Sequence, residues 1–260
     1  MSEFEQISYA KTVYGQEEID AVVKCLSEST QFGNYSRQFE RKIADLFDKK
    51  YGLYVNSGSS ALFVGVEAFG FPAGGEVITP ALTFSTSVGC LIKNNLIPVF
   101  VDVNESDFNI NSSLIKDAIT SKTKAIMLAH TLGNPFNVKK IKDICEKYNL
   151  WLIEDSCDAL GGTYRGKNLG AIGDLSTFSF YPAHHITTGE GGAVLAKKVA
   201  MKPIVESFRD WGRDCWCAPG KDNTCGERYC QKLGDLPDGY DHKYTYSHIG
   251  FNLKVTDMQA

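Results

Sequence analysis

Seven short apolar runs, at 52–55, 77–79, 98–103, 125–129, 151–154, 177–181 and 192–196, are interleaved with helix-period stretches at 60–69, 85–93, 113–119 and 138–148. This alternation restricts the fold more than any other feature of the chain. Such runs are too short for buried helices, and their continuous hydrophobicity marks strands covered on both faces. Strands that alternate with helical segments make βα units, which assemble into a parallel sheet with helices on either side. The expectation is an α/β fold with a mostly parallel sheet, preceded by two lead-in helices near 17–26 and 36–47.

A chain of 260 residues, 43% hydrophobic and 22% charged, is long enough to bury one large core. Its net charge of −4 gives no electrostatic reason to expect a nucleic-acid partner. No apolar run reaches membrane-spanning length and the first residues lack the apolar segment of a secretion signal, so the reading is cytoplasmic, with no membrane partner. In a reducing compartment the eight cysteines are thiols or metal ligands rather than disulfides. Cys25, Cys90 and Cys145 lie in apolar or helical patterns and read as small buried hydrophobes. From about 213 to 248 the chain becomes polar, aperiodic and rich in Gly, Asp, Tyr and Cys, which suits a functional insertion. Thr256 and Asp257 read as a helix N-cap with 258–260 as its first turn, and the expectation is a chain truncated before a following domain.

Two sites have chemical potential in the residues themselves. The segment VNSGSSAL at 55–62 follows a strand and opens a helix, where glycine admits a close ligand and hydroxyls and a helix N-terminus favour an anion. It is a phosphate cradle or an ordinary helix start. Asp155 ends the run at 151–154, on the side of an open α/β sheet where ligands bind. It is an N-cap, or a carboxylate that keeps a pyridinium nitrogen protonated.

The stretch FSFYPAHHITTGEGG at 178–192 resembles the sugar aminotransferases of the DegT/DnrJ/EryC1/StrS family, a branch of the fold type I pyridoxal-phosphate enzymes. That family carries a serine, four residues, a Schiff-base lysine and then TTGEGG; here Ser179 matches the serine and His184 stands in place of the lysine. The resemblance runs from about Tyr14 to the C-terminus and implies a fold type I large domain, with the family's C-terminal small domain missing. On this reading 1–260 is the lead-in plus a large domain binding pyridoxamine 5'-phosphate, with the Cys-rich insertion at 213–248. The resemblance implies that Gly58, Ser59 and Ser179 hold the phosphate, that Phe84 stacks on the ring and that Asp155 meets its nitrogen. It also implies that Asn252 reaches the phosphate of a neighbouring subunit in a homodimer.

A lysine is needed to hold pyridoxal phosphate covalently, and none lies between Lys167 and Lys197. An imidazole serves instead as a general base. Histidine at this position resembles the 3-dehydrases of 4-keto-6-deoxy sugar nucleotides, with His184 removing a proton from the cofactor methylene so that a sugar hydroxyl is expelled. His185 is the weaker alternative. The spacing of Cys157, Cys215, Cys217 and Cys225, with 57, one and seven intervening residues, is similar to that of the CDP-4-keto-6-deoxyglucose 3-dehydrases, which hold a 2Fe-2S cluster. Four thiolates also suit zinc, and two alternatives stay open beside the cluster enzyme: a cluster-independent sugar dehydrase or aminotransferase, and a non-catalytic fragment that binds a sugar nucleotide and zinc. The resemblance further implies CDP-4-keto-6-deoxyglucose as substrate and an NADH-dependent iron-sulfur flavoprotein reductase as partner. Cys230 is left over, a structural thiol or a competing ligand.

Overall fold

The computed structural model describes residues 7, 8, 10–215, 217 and 221–260. Parts of the expected N-terminal reading and of the Cys-rich insertion, at 1–6, 9, 216 and 218–220, lie outside the described residues. Two helices, α1 (Gln16–Glu28) and α2 (Asn34–Leu46), lead into β1 (Gly52–Val55), α3 (Gly58–Glu67), β2 (Glu76–Pro80), α4 (Ser85–Lys93) and β3 (Ile97–Val101). There follow β4 (Thr123–Ala129), α5 (Val138–Tyr148), β5 (Trp151–Asp155), the small hairpin β6 (Thr163–Tyr164) and β7 (Lys167–Asn168), β8 (Leu175–Ser179), β9 (Gly192–Ala196) and α6 (Met201–Arg209).

Seven strands form one sheet in the order β1-β9-β8-β5-β4-β2-β3. Strands β3, β2, β4, β5 and β8 run parallel, and β9 is antiparallel to both of its neighbours, β8 and β1. The alternation of side chains along each strand divides the core by face. Leu53, Val55, Val77, Met127, Ile153, Leu175 and Val194 pack under α3, α4 and α6. Ile78, Ile126, Leu128 and Leu152 pack under α5, while Tyr54, Phe178 and Leu195 meet residues of α2. Cys25, Cys90 and Cys145 are buried, as their apolar surroundings require.

Four readings change. The stretch at 113–119 makes only a 3-10 turn, Ile115–Ala118, with Ile115 alone buried in it; one turn offers too few bonds to sustain a helix nucleus. Strand β8 starts two residues earlier than its apolar run, because Leu175 and Ser176 pair with β9 whereas Phe180 and Tyr181 have left the ladder ahead of Pro182. Thr256 opens a turn as read, its carbonyl accepting from Gln259 N at 3.1 Å and its amide donating to Gln259 Oε1 at 2.9 Å, but Asp257 is turned elsewhere. Its Oδ1 accepts from Gly33 N at 2.8 Å, Ser36 N at 2.9 Å and Ser36 Oγ at 2.7 Å, so it caps α2 from 221 positions away. Cys230 is exposed and packs into no core. Among the described residues, no helix is long and apolar enough to cross a membrane.

Candidate active site

The C-terminal ends of the parallel strands bring the implicated residues to one edge of the sheet, the position where open α/β sheets bind ligands. Gly58 begins α3 at the end of β1, and a Cβ placed on it would lie 2.6 Å from Cβ of Ser179 and 3.1 Å from Sγ of Cys157. Three segments distant in sequence therefore converge on this glycine. Gly192 serves the same corner: a Cβ there would meet the Ser57 carbonyl oxygen, so only glycine lets β9 pass so close to the start of α3. The Ser57 hydroxyl accepts from Ser60 N at 3.0 Å, which leaves the amides of Gly58 and Ser59 as first-turn donors without an intrahelical acceptor. Ser59 Oγ donates to Thr86 Oγ1 at 3.2 Å and ties the start of α3 to α4. Ser179 Oγ accepts from Tyr181 N at 3.3 Å.

Replacing Gly58 with alanine is expected to lower stability by about 1–3 kcal/mol through overpacking against Ser179 and Cys157 and to weaken phosphate binding. A thermal melt with a titration of pyridoxamine phosphate checks this; an unchanged melt with unchanged affinity would contradict the close packing of the cradle.

Asp155 is delivered by β5 and is nearly buried. Its Oδ2 accepts from Ser87 Oγ at 2.9 Å and its Oδ1 from Cys157 N at 3.3 Å, so α4 and the turn after β5 both fix it. Phe84, at the N-cap of α4, is 68% exposed and stands two residues before Thr86, which meets Ser59. The combination of free helix-start amides, hydroxyls, a side-chain-free corner, a fixed carboxylate and an uncovered aromatic ring fits a phosphorylated pyridine.

His184 lies in the bend that follows β8, with its backbone N bonded to Tyr181 O at 2.9 Å and its ring edge-on to the Tyr181 ring at 6.0 Å. Its Nδ1 is 3.0 Å from Oδ1 of Asp158. His185, by contrast, is exposed. Asp158 escaped sequence reasoning; the available signal was an acidic residue three positions after Asp155, in the turn at the ligand-binding end of a strand. Its carboxyl is held below the usual range, chiefly by the His184 hydrogen bond, with burial opposing and the charges of His184 and His185 assisting. Ser87, which positions Asp155, was missed for a different reason: its partner is 68 residues away in sequence.

Asn252 is exposed and accepts from Lys254 Nζ at 2.6 Å, beside a bridge to Asp210. The four cysteines are not assembled as a set: among the described residues, no group of three or more ligating side chains has metal-holding geometry. Cys217 and Cys225 come within 3.8 Å, Sγ to Sγ. The Cys217 thiol is lowered to about 7, first by the Thr224 hydroxyl and then by Cys225 and Cys215. Cys157 instead lines the floor of the cradle, where burial, and after it Asp155, push its thiol well above the ordinary value.

The profile of the DegT/DnrJ/EryC1/StrS aminotransferase family matches residues 13–260. The lipopolysaccharide biosynthesis protein RfbH of Salmonella typhimurium is 54% identical over 257 residues, covering 95% of this chain and 59% of that protein. The dTDP-4-dehydro-2,6-dideoxy-D-glucose 3-dehydratase of Saccharopolyspora spinosa is 52% identical over 236 residues, covering 88% and 51%. A solved structure of Escherichia coli GDP-4-keto-6-deoxy-D-mannose-3-dehydratase with bound hydrated PLP superposes with a TM-score of 0.85 at 28% identity, covering 98% of this chain and 65% of that one. The chain thus spans roughly half to three-fifths of the length of these two curated relatives, at 59% and 51%.

Proposed function

The chain belongs to the DegT/DnrJ/EryC1/StrS aminotransferase family, and we propose that it carries the cofactor-binding part of a pyridoxamine-phosphate-dependent sugar-nucleotide 3-dehydratase. The observation that carries this reading is His184, which occupies the family's lysine position beside the cradle and is held there by Asp158. A histidine can move a proton but cannot anchor pyridoxal phosphate covalently, which disfavours an ordinary transamination cycle. Pyridoxamine phosphate, when bound, supplies an amine that condenses with a sugar ketone and a ring that accepts electrons.

The chain's own residues have distinct tasks. The first amides of α3, with Ser59 and Ser179, hold the phosphate. Gly58 and Gly192 keep that corner free of side chains. Asp155, fixed by Ser87 and the Cys157 amide, holds a proton on the pyridine nitrogen. Phe84 covers one ring face and excludes water from it. With the cofactor bound, His184 would be the base at its methylene, and the proton it takes would be available for loss of the adjacent sugar hydroxyl as water.

Finer assignments are part of the same proposal. The substrate is CDP-4-keto-6-deoxyglucose, in the reducing cytoplasm. The active assembly is a homodimer in which Asn252 serves the neighbouring subunit's phosphate. A 2Fe-2S cluster on Cys157, Cys215, Cys217 and Cys225 receives electrons from an NADH-dependent iron-sulfur flavoprotein reductase; the cysteine spacing and the approach of Cys217 to Cys225 support it. The position of Cys157 in the cradle floor favours a second reading, a cluster-independent dehydratase or aminotransferase of the same family. Anaerobic reconstitution separates them. About two irons per chain with thiolate–iron absorption supports the cluster, whereas stoichiometric zinc, or no metal with full activity, removes it.

A further inference from the structure

The turn that follows β5 carries two carboxylates three residues apart, and the established landmarks use only the first. Asp155 bonds back to the amide of Cys157, and Ala159 N closes the turn on Ser156 O at 3.0 Å. From the other side, the loop at 131–133 packs on it so tightly that a Cβ on Gly133 would lie 2.7 Å from the Asp158 carbonyl oxygen. Asp158 therefore projects from a backbone fixed on two sides, and its Oδ1 meets Nδ1 of His184 at 3.0 Å.

We propose that Asp158 is the positioning residue of the site: it fixes the His184 imidazole in the tautomer that carries its proton on Nδ1 and presents a bare Nε2 as the base. The inference rests on the reading of His184 as that base. An ionised carboxylate has only lone pairs to offer, so the Nδ1 that faces it must donate. In a neutral imidazole the proton on one nitrogen leaves the other as the acceptor. Nε2 takes a proton from carbon, the ring becomes an imidazolium, and its Nδ1–H stays paired with the carboxylate throughout. The Asp158 side chain is 48% exposed, so its carboxylate keeps its hydration and is ionised at neutral pH. The same turn thereby sets the charge at two ends of one reaction, with Asp155 toward the ring nitrogen and Asp158 toward the base.

The test uses protein labelled with ring-15N histidine and loaded with pyridoxamine phosphate, read by two-bond proton–nitrogen correlation, with the His184 signals identified by their loss in His184→Asn. The expected wild-type pattern is a single tautomer protonated at Nδ1. In Asp158→Ala the pattern shifts toward protonation at Nε2, and exchange of the cofactor methylene protons with solvent slows by on the order of a hundredfold. That is less than the ~10^4 found where the orienting carboxylate is fully buried, because the Asp158 side chain is 48% exposed. The sugar-nucleotide KM and the thermal midpoint stay unchanged. A wild-type His184 protonated at Nε2, or an unchanged tautomer in Asp158→Ala, overturns the proposal even if exchange slows. Fast exchange in His184→Asn would instead overturn the reading of His184 as the base, and the spectra would still report what Asp158 does to the ring.

Discussion

His184→Asn is expected to slow solvent exchange of the methylene protons of bound pyridoxamine phosphate by about a hundredfold to ten-thousandfold, the range over which a positioned general base contributes. The residue it removes is one of two adjacent histidines, and the structure separates them. His184 is partly buried, ordered by its bond to the Tyr181 carbonyl and paired with Asp158 at 3.0 Å, whereas His185 is exposed. Asparagine preserves the polar shape but has no lone pair basic enough to take a proton from carbon. Binding of the cofactor should survive, because the proposed phosphate and ring contacts come from α3, β8, β5 and the start of α4. The measurement is deuterium wash-in from heavy water, with His185→Asn as the companion variant expected to exchange at the wild-type rate. Loss of exchange in the His185 variant alone would transfer the role.

Much of this site was legible in the sequence, for reasons that differ by residue. The runs at 52–55 and 192–196 and the helices at 85–93 and 138–148 were read with the bounds the structure gives them. Strands buried on both faces must be apolar throughout, and α5 has a buried stripe of Val138, Ile141, Ile144 and Cys145 against a charged face. Gly58 and Asp155 could be singled out from the residues because they sit at a helix start and a strand end, where chemistry-bearing residues gather in this class of fold, whereas Ser179 and His184 were marked by the resemblance of 178–192 to the family motif. Hidden from a one-dimensional reading were the pairings. Nothing local in the sequence says that Ser87 meets Asp155, or that Asp257 caps a helix beginning at Asn34. Helix α6 was missed because its nine residues include a proline at the third position and fewer than two turns of periodicity beyond it. The tiny hairpin of β6 and β7 has two residues per strand, too few for any pattern.

The cysteines illustrate the limit of spacing as evidence. Intervals of 57, one and seven residues single out a set of four, yet proximity is decided by packing. Cys157 lies beside Gly58 and Ser179, its amide bonded to Asp155, while Cys217 meets both Cys225 and Cys215 in the irregular stretch. The convergence of Cys157 on Gly58 and Ser179 has a consequence of its own, since any change at that thiol acts directly on the phosphate corner.

Replacing Glu154 with alanine should be the most destabilising single change near the site, costing about 3–5 kcal/mol, the range for removing one partner of a buried pair. At roughly 2–4 °C per kcal/mol for a chain of this size, the thermal midpoint should fall by on the order of 10 °C. Glu154 and His130 have no exposed side-chain surface and lie 3.0 Å apart, Oε2 to Nε2, with the His130 ring stacked on Phe136. The same carboxylate accepts from the amides of Gly170 at 3.0 Å, Ile172 at 2.9 Å and Gly173. Truncation would strand those amides and a buried imidazole together. Burial pushes the Glu154 carboxyl up, but the His130 hydrogen bond, the His130 charge and the amides of Gly173 and Gly170 outweigh it, so the folded value lies below the ordinary one. A depressed folded value contributes stability above the unfolded value of about 4.3, and that stability is lost as the pH falls through the folded value. Wild type should therefore lose stability more steeply than Glu154→Ala below about pH 4, and the gap between them should narrow as acid is added. Urea melts at neutral pH and across the acid range check both statements; parallel profiles would show that the carboxylate is not ionised in the fold. The point bears on function because alternation along β5 turns Glu154 to one face and Asp155 to the other. The buried network anchors the strand end that holds the Asp155 carboxylate in place.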